Sequence, residues 1–157
     1  MGEIPAKVIL FGFIPETFLM VWVGLQLLKK ETSFPRLLAI TVLQGISIYC
    51  FRKYFGFGEG VLLQLASLVV YTRLIAGVRW LAAVLAVVLS NVIVILIEGC
   101  FLILFQDVNP VYIWGSDWGS ILIFIPYDLC LLGILYLCKK KGISLLDEFQ
   151  WLSHWTQ

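Results

Sequence analysis

Charged residues are scarce in this chain, at 13% of 157 residues, whereas soluble domains usually carry about 25%. Hydrophobic residues make up 61% of the sequence. A soluble domain of this size could not bury so much apolar surface, so the composition predicts a protein that is solvated by a lipid bilayer. The net charge of +1 gives no basis for binding nucleic acid.

The residues that enzymes use for metal, redox or phosphate chemistry are few or unsuitably spaced. A single histidine, His154, cannot build the His-Glu-x-x-His site of a zinc protease. The four cysteines form no Cys-x-x-Cys pair, and no Gly-Lys-Ser/Thr phosphate loop occurs. Asp128 lacks the second aspartate that an intramembrane aspartyl protease needs. We therefore expect no enzymatic activity, no metal site and no cofactor.

Five long apolar runs predict an all-α fold, a polytopic membrane bundle of about five transmembrane helices. Each run is close to the roughly 20 residues that a helix needs to cross the hydrocarbon core. Residues 1–141 would form the transmembrane domain. Residues 142–157 would form a cytoplasmic tail with a short interfacial amphipathic helix. The predicted spans are residues 8–28, 37–53, 60–76, 80–105 and 118–138.

Basic residues are distributed unevenly between the two ends of the predicted spans. With the N-terminus outside, eight of the eleven Lys and Arg residues fall inside. Cytoplasmic loops carry such an excess. We therefore expect a multi-pass protein of a bacterial cytoplasmic membrane, with its N-terminus outside and its C-terminus in the cytoplasm. The inside residues are Lys29, Lys30, Arg36, Arg73, Arg79, Lys139, Lys140 and Lys141, and the outside ones are Lys7, Arg52 and Lys53.

Three acidic residues, Glu16, Glu98 and Asp128, interrupt the first, fourth and fifth spans. A charge in hydrocarbon costs about 2.5–3.5 kcal/mol on insertion scales, so such residues usually face the bundle interior and mark a functional site. At about 1.5 Å of rise per residue, all three lie roughly 10–15 Å below the outer surface. We predict a ligand-binding or proton-linked site made of these acids, with Arg52 reaching toward them from span two.

Two prolines lie close to these acids, Pro15 directly before Glu16 and Pro126 two residues before Asp128. Proline frees a backbone carbonyl, which is tolerated at such depth where it packs against protein or lines a cavity. The alternative interpretation is that the buried polar groups only link helices, at about 0.6 kcal/mol per hydrogen bond. The other polar positions in the spans include Gln26, Gln44, Gln64, Ser90 and Asn91.

Short motifs within about residues 10–105 resemble a known family. Pro15-Glu16-Thr17, an arginine before a Phe-Gly turn (Arg52 in residues 49–58) and Ile97-Glu98 are similar to motifs of the five-helix membrane-sensing region of sensor histidine kinases from spore-forming Firmicutes. In that family the region perceives an extracellular or membrane signal and passes it to a cytoplasmic kinase. Residues 142–157 are too few for a kinase domain. The resemblance therefore implies a module that signals through a partner, or part of a longer protein.

Together these patterns predict an integral membrane sensory or regulatory module. A small ligand, a lipid or a proton would act on the buried carboxylates, and a cytoplasmic kinase or response protein would receive the signal. Two alternatives stay open. One is a transporter or transporter subunit that uses the same acids for substrate or proton coupling, and a homodimer would supply the repeat that five spans lack. The other is a structural subunit of a membrane complex.

Overall fold

The computed structural model describes residues 6–104 and 117–142, and the regular structure in these ranges is entirely helical. Helix α1, Ile14–Leu27, directly follows a π-helical segment, Ile9–Phe13, and one short turn of helix, Ala6–Val8. The all-α prediction is confirmed. The predicted tail helix lies at residues 143–157, outside the described residues. The remaining helices are α2, Phe34–Tyr54; α3, Phe57–Ala76; α4, Trp80–Leu104; and α5, Asp117–Lys141.

Four helical stretches in the described part of the chain are long and apolar enough to cross a membrane: one, Leu10–Leu27, joins the π-helical segment to α1, and the others lie in α2, α3 and α4. Helix α5 occupies the position of the predicted fifth span and has 25 residues. Large apolar side chains are exposed on the outside of the bundle; Leu62 and Leu74 are each 69% exposed and Ile103 is 71% exposed. A surface of this kind is stable against lipid tails and prone to aggregation in water, so the fold is compatible with a membrane protein.

Two helices begin earlier than the sequence predicts. Helix α2 starts at Phe34 and accommodates Pro35 in its first turn. Proline fits there because a backbone N–H in the first turn would have no acceptor within the helix. Helix α3 starts at Phe57, three residues before the predicted span, so only Phe55 and Gly56 connect it to α2. Both helices therefore reach 20 residues or more, enough for a full crossing.

Helix α1 is the central helix of the bundle and contacts α2, α4 and α5. Within its apolar stretch 56% of residues are buried, against 22–39% for α2, α3 and α4. Helix α3 packs against α2 and α4. The connections at residues 28–33, 55–56 and 77–79 are short, which makes successive helices antiparallel neighbours.

Two clusters of buried apolar residues lie on different sides of α1. One cluster joins α1 to α2, α3 and α4, and it includes Leu25, Ile40, Leu68 and Ala83. The other joins α1 to α4 and α5, and we call it the α1–α4–α5 seam. The seam consists of Leu19, Met20, Val23, Leu27, Val94, Leu131, Leu135 and Cys138.

Helices α1 and α4 are in close backbone contact at Gly24. A Cβ atom added to Gly24 would collide with the carbonyl oxygen of Ala86 and lie 2.9 Å from its carbonyl carbon. Ala82 and Ala83, one turn earlier on α4, are fully buried. Small residues at these positions let the two backbones come together, as at many crossings of membrane helices.

The eight cations that were predicted to lie inside collect at one end of the bundle, which we call the basic end. Leu28, Leu37, Ala76 and Val78 border four helix ends and belong to a single cluster. Leu27 and Cys138 meet in the seam, which brings the end of α5 to the same place. Each of the eight cations lies within three residues of one of these positions in the sequence.

Candidate carboxylate site

The three predicted acids occupy equivalent places on three helices. Each lies on the same helical face as an apolar residue of the α1–α4–α5 seam, and on the side of that residue away from the basic end. The acids therefore stand at the far end of the seam. The paired positions are Glu16 with Val23, Glu98 with Val94, and Asp128 with Leu131.

Glu16 is the most deeply buried of the three, with 7% of its surface exposed. It lies in the first turn of α1, directly after Pro15, and the π-helical segment Ile9–Phe13 precedes them. Pro15 has no N–H and its ring crowds the preceding turn, and a π-helical turn is one way for a helix to absorb that disturbance. The interruption coincides with the acid, as is frequent at functional positions.

Glu98 and Asp128 are half-buried and complete the group. Both lie near enough to Glu16 for their ionised carboxylates to repel its charge. Charges interact more strongly here than at a protein surface, because the surroundings have a low dielectric constant. We call these three residues the carboxylate cluster.

An aromatic pair lies beside the carboxylate cluster. The rings of Phe101 on α4 and Tyr127 on α5 meet edge to face, with 5.0 Å between their centroids. Tyr127 also packs with Phe13 against the buried Val8, and it lies within electrostatic range of Glu98 and Glu16. Its hydroxyl gives the site a neutral donor close to the acids. The sequence analysis did not single out Tyr127, although its position directly before Asp128 was a usable signal.

The carboxylate cluster leaves hydrogen-bonding capacity unused. The Oδ1 atom of Asp128 is buried and has no hydrogen-bond partner among the described residues. Pro126, inside α5, leaves a carbonyl one turn earlier without its helical donor. A proton, a water molecule or the N–H of a small cation would satisfy these acceptors.

The arrangement differs from that of a metal centre. In residues 6–104 and 117–142, no group of three or more His, Cys, Asp or Glu side chains is positioned to hold a metal ion. Glu98 and Asp128 interact with Glu16 through their charges. This geometry suits an exchange of protons, or a ligand large enough to contact the acids separately.

The predicted fourth member of the site, Arg52, lies in the last turn of α2, and its side chain is outside the described residues. The neighbouring Lys53 is exposed, and its ammonium nitrogen lies 5.9 Å from the centroid of the Tyr54 ring. The role of Arg52 at the acids stays a prediction.

Several buried polar residues hold α2 and α3 together instead of joining the acids. Gln44 donates to the backbone carbonyl of Gln64 (2.8 Å) and accepts from the hydroxyl of Ser67 (3.0 Å). One turn further along, the hydroxyls of Ser47 and Tyr71 are 2.7 Å apart. The two glutamines were noted from the sequence, but Ser47, Ser67 and Tyr71 were not. Each lies three or four positions from another of these polar residues on the same helix, and this spacing was the available signal.

Ser90 and Asn91 were considered as links between helices, but their hydrogen bonds stay within α4. Both side chains donate to the carbonyl of Val87, at 3.0 and 2.7 Å. Serine and asparagine side chains in apolar surroundings commonly form such hydrogen bonds with the backbone of their own helix. Among the described residues, neither side chain is hydrogen-bonded to the carboxylate cluster.

The chain matches no family model, no curated protein and no solved structure. The resemblance to the membrane-sensing regions of sensor kinases accordingly stays a prediction that rests on its short motifs.

Proposed function

We propose that the protein is an integral membrane sensory or regulatory module whose sensing site is the carboxylate cluster, and that it signals through a cytoplasmic partner. The observation that carries this proposal is that three acids from three helices, Glu16, Glu98 and Asp128, lie at one end of an apolar seam, with Glu98 and Asp128 within electrostatic range of Glu16. A site that only linked helices would be expected to pair each acid with a donor.

A change in the charge of this cluster alters the force between three helices. When the acids are ionised they repel one another, and in surroundings of low dielectric constant this repulsion is several times stronger than in water. A bound proton or a cationic ligand removes part of the repulsion. The packing of α1, α4 and α5 is then biased toward a second arrangement, which is the requirement for a switch.

The α1–α4–α5 seam connects the acids to the basic end. Leu27 and Cys138 close the seam at that end, and the ammonium nitrogen of Lys139 lies 4.7 Å from the centroid of the Trp22 ring. This cation–π contact ties the last turn of α5 to α1. A shift of α5 against α1 would therefore move residues 139–141 and the tail that follows them.

The proposal is tested by measuring the distance across the basic end at two pH values. The native cysteines of the full chain are removed, and new cysteines at Leu74 and Leu137, both exposed positions, carry the spin labels. The labelled protein is reconstituted in lipid nanodiscs. We expect the distance distribution to differ between about pH 5 and about pH 8. We expect Glu16→Gln and Glu98→Gln to abolish this difference, because a neutral amide cannot change its charge.

Glu59→Gln is the matched control, since Glu59 is an exposed acid in the first turn of α3. It removes the same charge outside the carboxylate cluster and should leave the pH response intact. If Glu16→Gln and Glu98→Gln both respond like the wild type, the carboxylate cluster is not the sensing site.

A transport function is the second candidate, and the interruption of the helix at Glu16 favours it. Transporters often bind their coupling ions beside broken helices, and α1 is preceded by a π-helical segment next to Pro15. Proteoliposomes containing the wild type would then carry a proton or cation flux that disappears in Glu98→Gln. A pH-dependent change in distance without any flux favours the sensory function.

A further inference from the structure

A second site lies at the basic end, well away from the carboxylate cluster. An open cavity of about 330 Å³ lies where α3 passes into α4, and it is lined by Arg73, Arg79, Trp80 and Leu81. Two of these residues are arginines and none is acidic. Gly77, in the left-handed conformation (φ +72°), ends α3 and allows the tight connection that brings the two arginines together.

Arg73 is supported by an aromatic ring and has no acidic partner in the part of the chain that the structure describes. Its guanidinium carbon lies 5.9 Å from the centroid of the Trp80 ring, so the aromatic face supports the cation. The Nε atom of Arg73 is buried and has no hydrogen-bond acceptor among the described residues. An unsatisfied buried donor of this kind is costly unless an acceptor binds to it. The cavity is therefore lined by two guanidinium groups, one of which keeps a donor without a hydrogen-bond acceptor among the described residues.

We propose that this cavity binds the phosphate headgroup of an anionic phospholipid. The guanidinium group presents donors in a planar fork that matches two oxygens of a phosphate, and Arg73 and Arg79 together supply two such forks. Basic pockets at the ends of membrane helices are suited to anionic headgroups. The site is independent of the sensing function proposed above, because it shares no residue with the carboxylate cluster.

The surroundings of the cavity favour a lipid over a free phosphate ion. Trp80 and Leu81 line it and are 55% and 40% exposed, and Leu74, next to Arg73 in the sequence, is 69% exposed. These apolar surfaces continue along α3 and α4 from the arginines, so a headgroup held by the arginines would lay its acyl chains on them. Trp80 has the amphipathic character of residues at the boundary between hydrocarbon and water.

Native mass spectrometry of the full chain in detergent would test the site. The probes are phosphatidylglycerol, which is anionic, and phosphatidylcholine, which has the same phosphate but no net charge. We expect one phosphatidylglycerol molecule to bind in preference to phosphatidylcholine. We expect Arg73→Gln combined with Arg79→Gln to weaken that binding roughly tenfold or more.

Arg36→Gln is the matched control. Arg36 is an exposed arginine of the same basic end that does not line the cavity, so its removal changes the net charge as much as Arg79→Gln does and should leave the first lipid bound. Because Arg79 is exposed, Arg79→Gln alone tests the site if the double variant fails to fold. Equal binding of the two lipids, or equal loss in Arg36→Gln and Arg79→Gln, would overturn the proposal.

Competition with inorganic phosphate distinguishes binding of a phospholipid headgroup from binding of a free phosphate ion. Inorganic phosphate should leave phosphatidylglycerol bound when it is added at the concentration of the lipid, because it gains nothing from the apolar border of the cavity. Displacement of the lipid by equimolar phosphate would show that the cavity binds the free ion, and the assignment to a lipid would then be wrong.

Discussion

Buried polar side chains serve two different purposes at the scale of single residues. Gln44 has no exposed surface, and its side-chain amide is satisfied by partners on α3. Asp128, by contrast, keeps a buried oxygen without a described hydrogen-bond partner. A satisfied amide stabilises the contact between two helices, whereas an unsatisfied carboxylate has capacity left for a ligand. This difference separates the structural residues of the bundle from its candidate site.

Gln44→Leu should cost little stability. Leucine fills a similar volume, and Ser67 keeps its hydrogen bond to the carbonyl of Gln64 (2.9 Å), so no donor is stranded. We expect the free energy of unfolding in mixed micelles to fall by about 0.6 kcal/mol. Gln44→Ala, which leaves a cavity at the same place, should cost about 2 kcal/mol or more. Equal losses for the two variants would show that the hydrogen bonds dominate instead.

The presence and depth of the acids could be predicted from the sequence, but the side chains that surround them could not. A carboxylate in an apolar run is visible in any reading of the chain, and the rise per residue gives its depth. The rotation of each helix about its axis decides which side chains face one another, and that rotation follows from packing between distant segments. Tyr127 next to the acids therefore emerged only from the structure.

At the scale of helices, composition fixes the number and approximate ends of the elements, while packing fixes their contacts. The long apolar runs predicted all five helices that the structure describes, because a helix must satisfy its own backbone in lipid. The starts of α2 and α3 were less predictable, because Pro35 and Gly58 favour turns in general but also fit the first turn of a helix. The close crossing at Gly24 could not be predicted, since it depends on which helix α1 meets.

Gly24→Ala should loosen the crossing of α1 and α4. The added methyl group would collide with the backbone of Ala86, which cannot move aside as a flexible side chain would. We expect a loss of about 1–3 kcal/mol in the free energy of unfolding, measured in mixed micelles.

Gly99→Ala is the matched control on α4, because a Cβ at Gly99 has no atom within 4 Å. It should be neutral or stabilising by up to about 1 kcal/mol, as alanine is the better helix former. A loss in Gly99→Ala as large as that in Gly24→Ala would mean that helix propensity and not the crossing determines the effect.

At the scale of the whole molecule, charge is divided between the two ends of the bundle. The basic end carries eight of the eleven Lys and Arg residues, and the carboxylate cluster lies toward the other end. An asymmetry of this size in short loops orients membrane proteins. The sequence alone predicts it, because loop charges require no knowledge of packing.

The orientation is tested with single cysteines in intact bacterial cells. Glu59→Cys and Lys140→Cys, introduced into a chain without native cysteines, both place the thiol at an exposed position. A maleimide that cannot cross the membrane should label the first variant directly, and the second only after the cells are permeabilised. The reverse pattern would place the basic end outside, and would move the carboxylate cluster to the cytoplasmic half.

The contact of Gly24 with Ala86 has a mechanical consequence for α1. Because the Ala86 backbone leaves no room for a side chain at Gly24, this contact is a natural fulcrum for tilting of the helix. Glu16 lies eight residues to one side of it and Leu27, the last residue of the helix, three residues to the other, about 12 Å and about 4.5 Å along the axis. Helix α1 is in this sense a lever with unequal arms. A displacement at the acids would reach the basic end reversed in direction and reduced by roughly 60%.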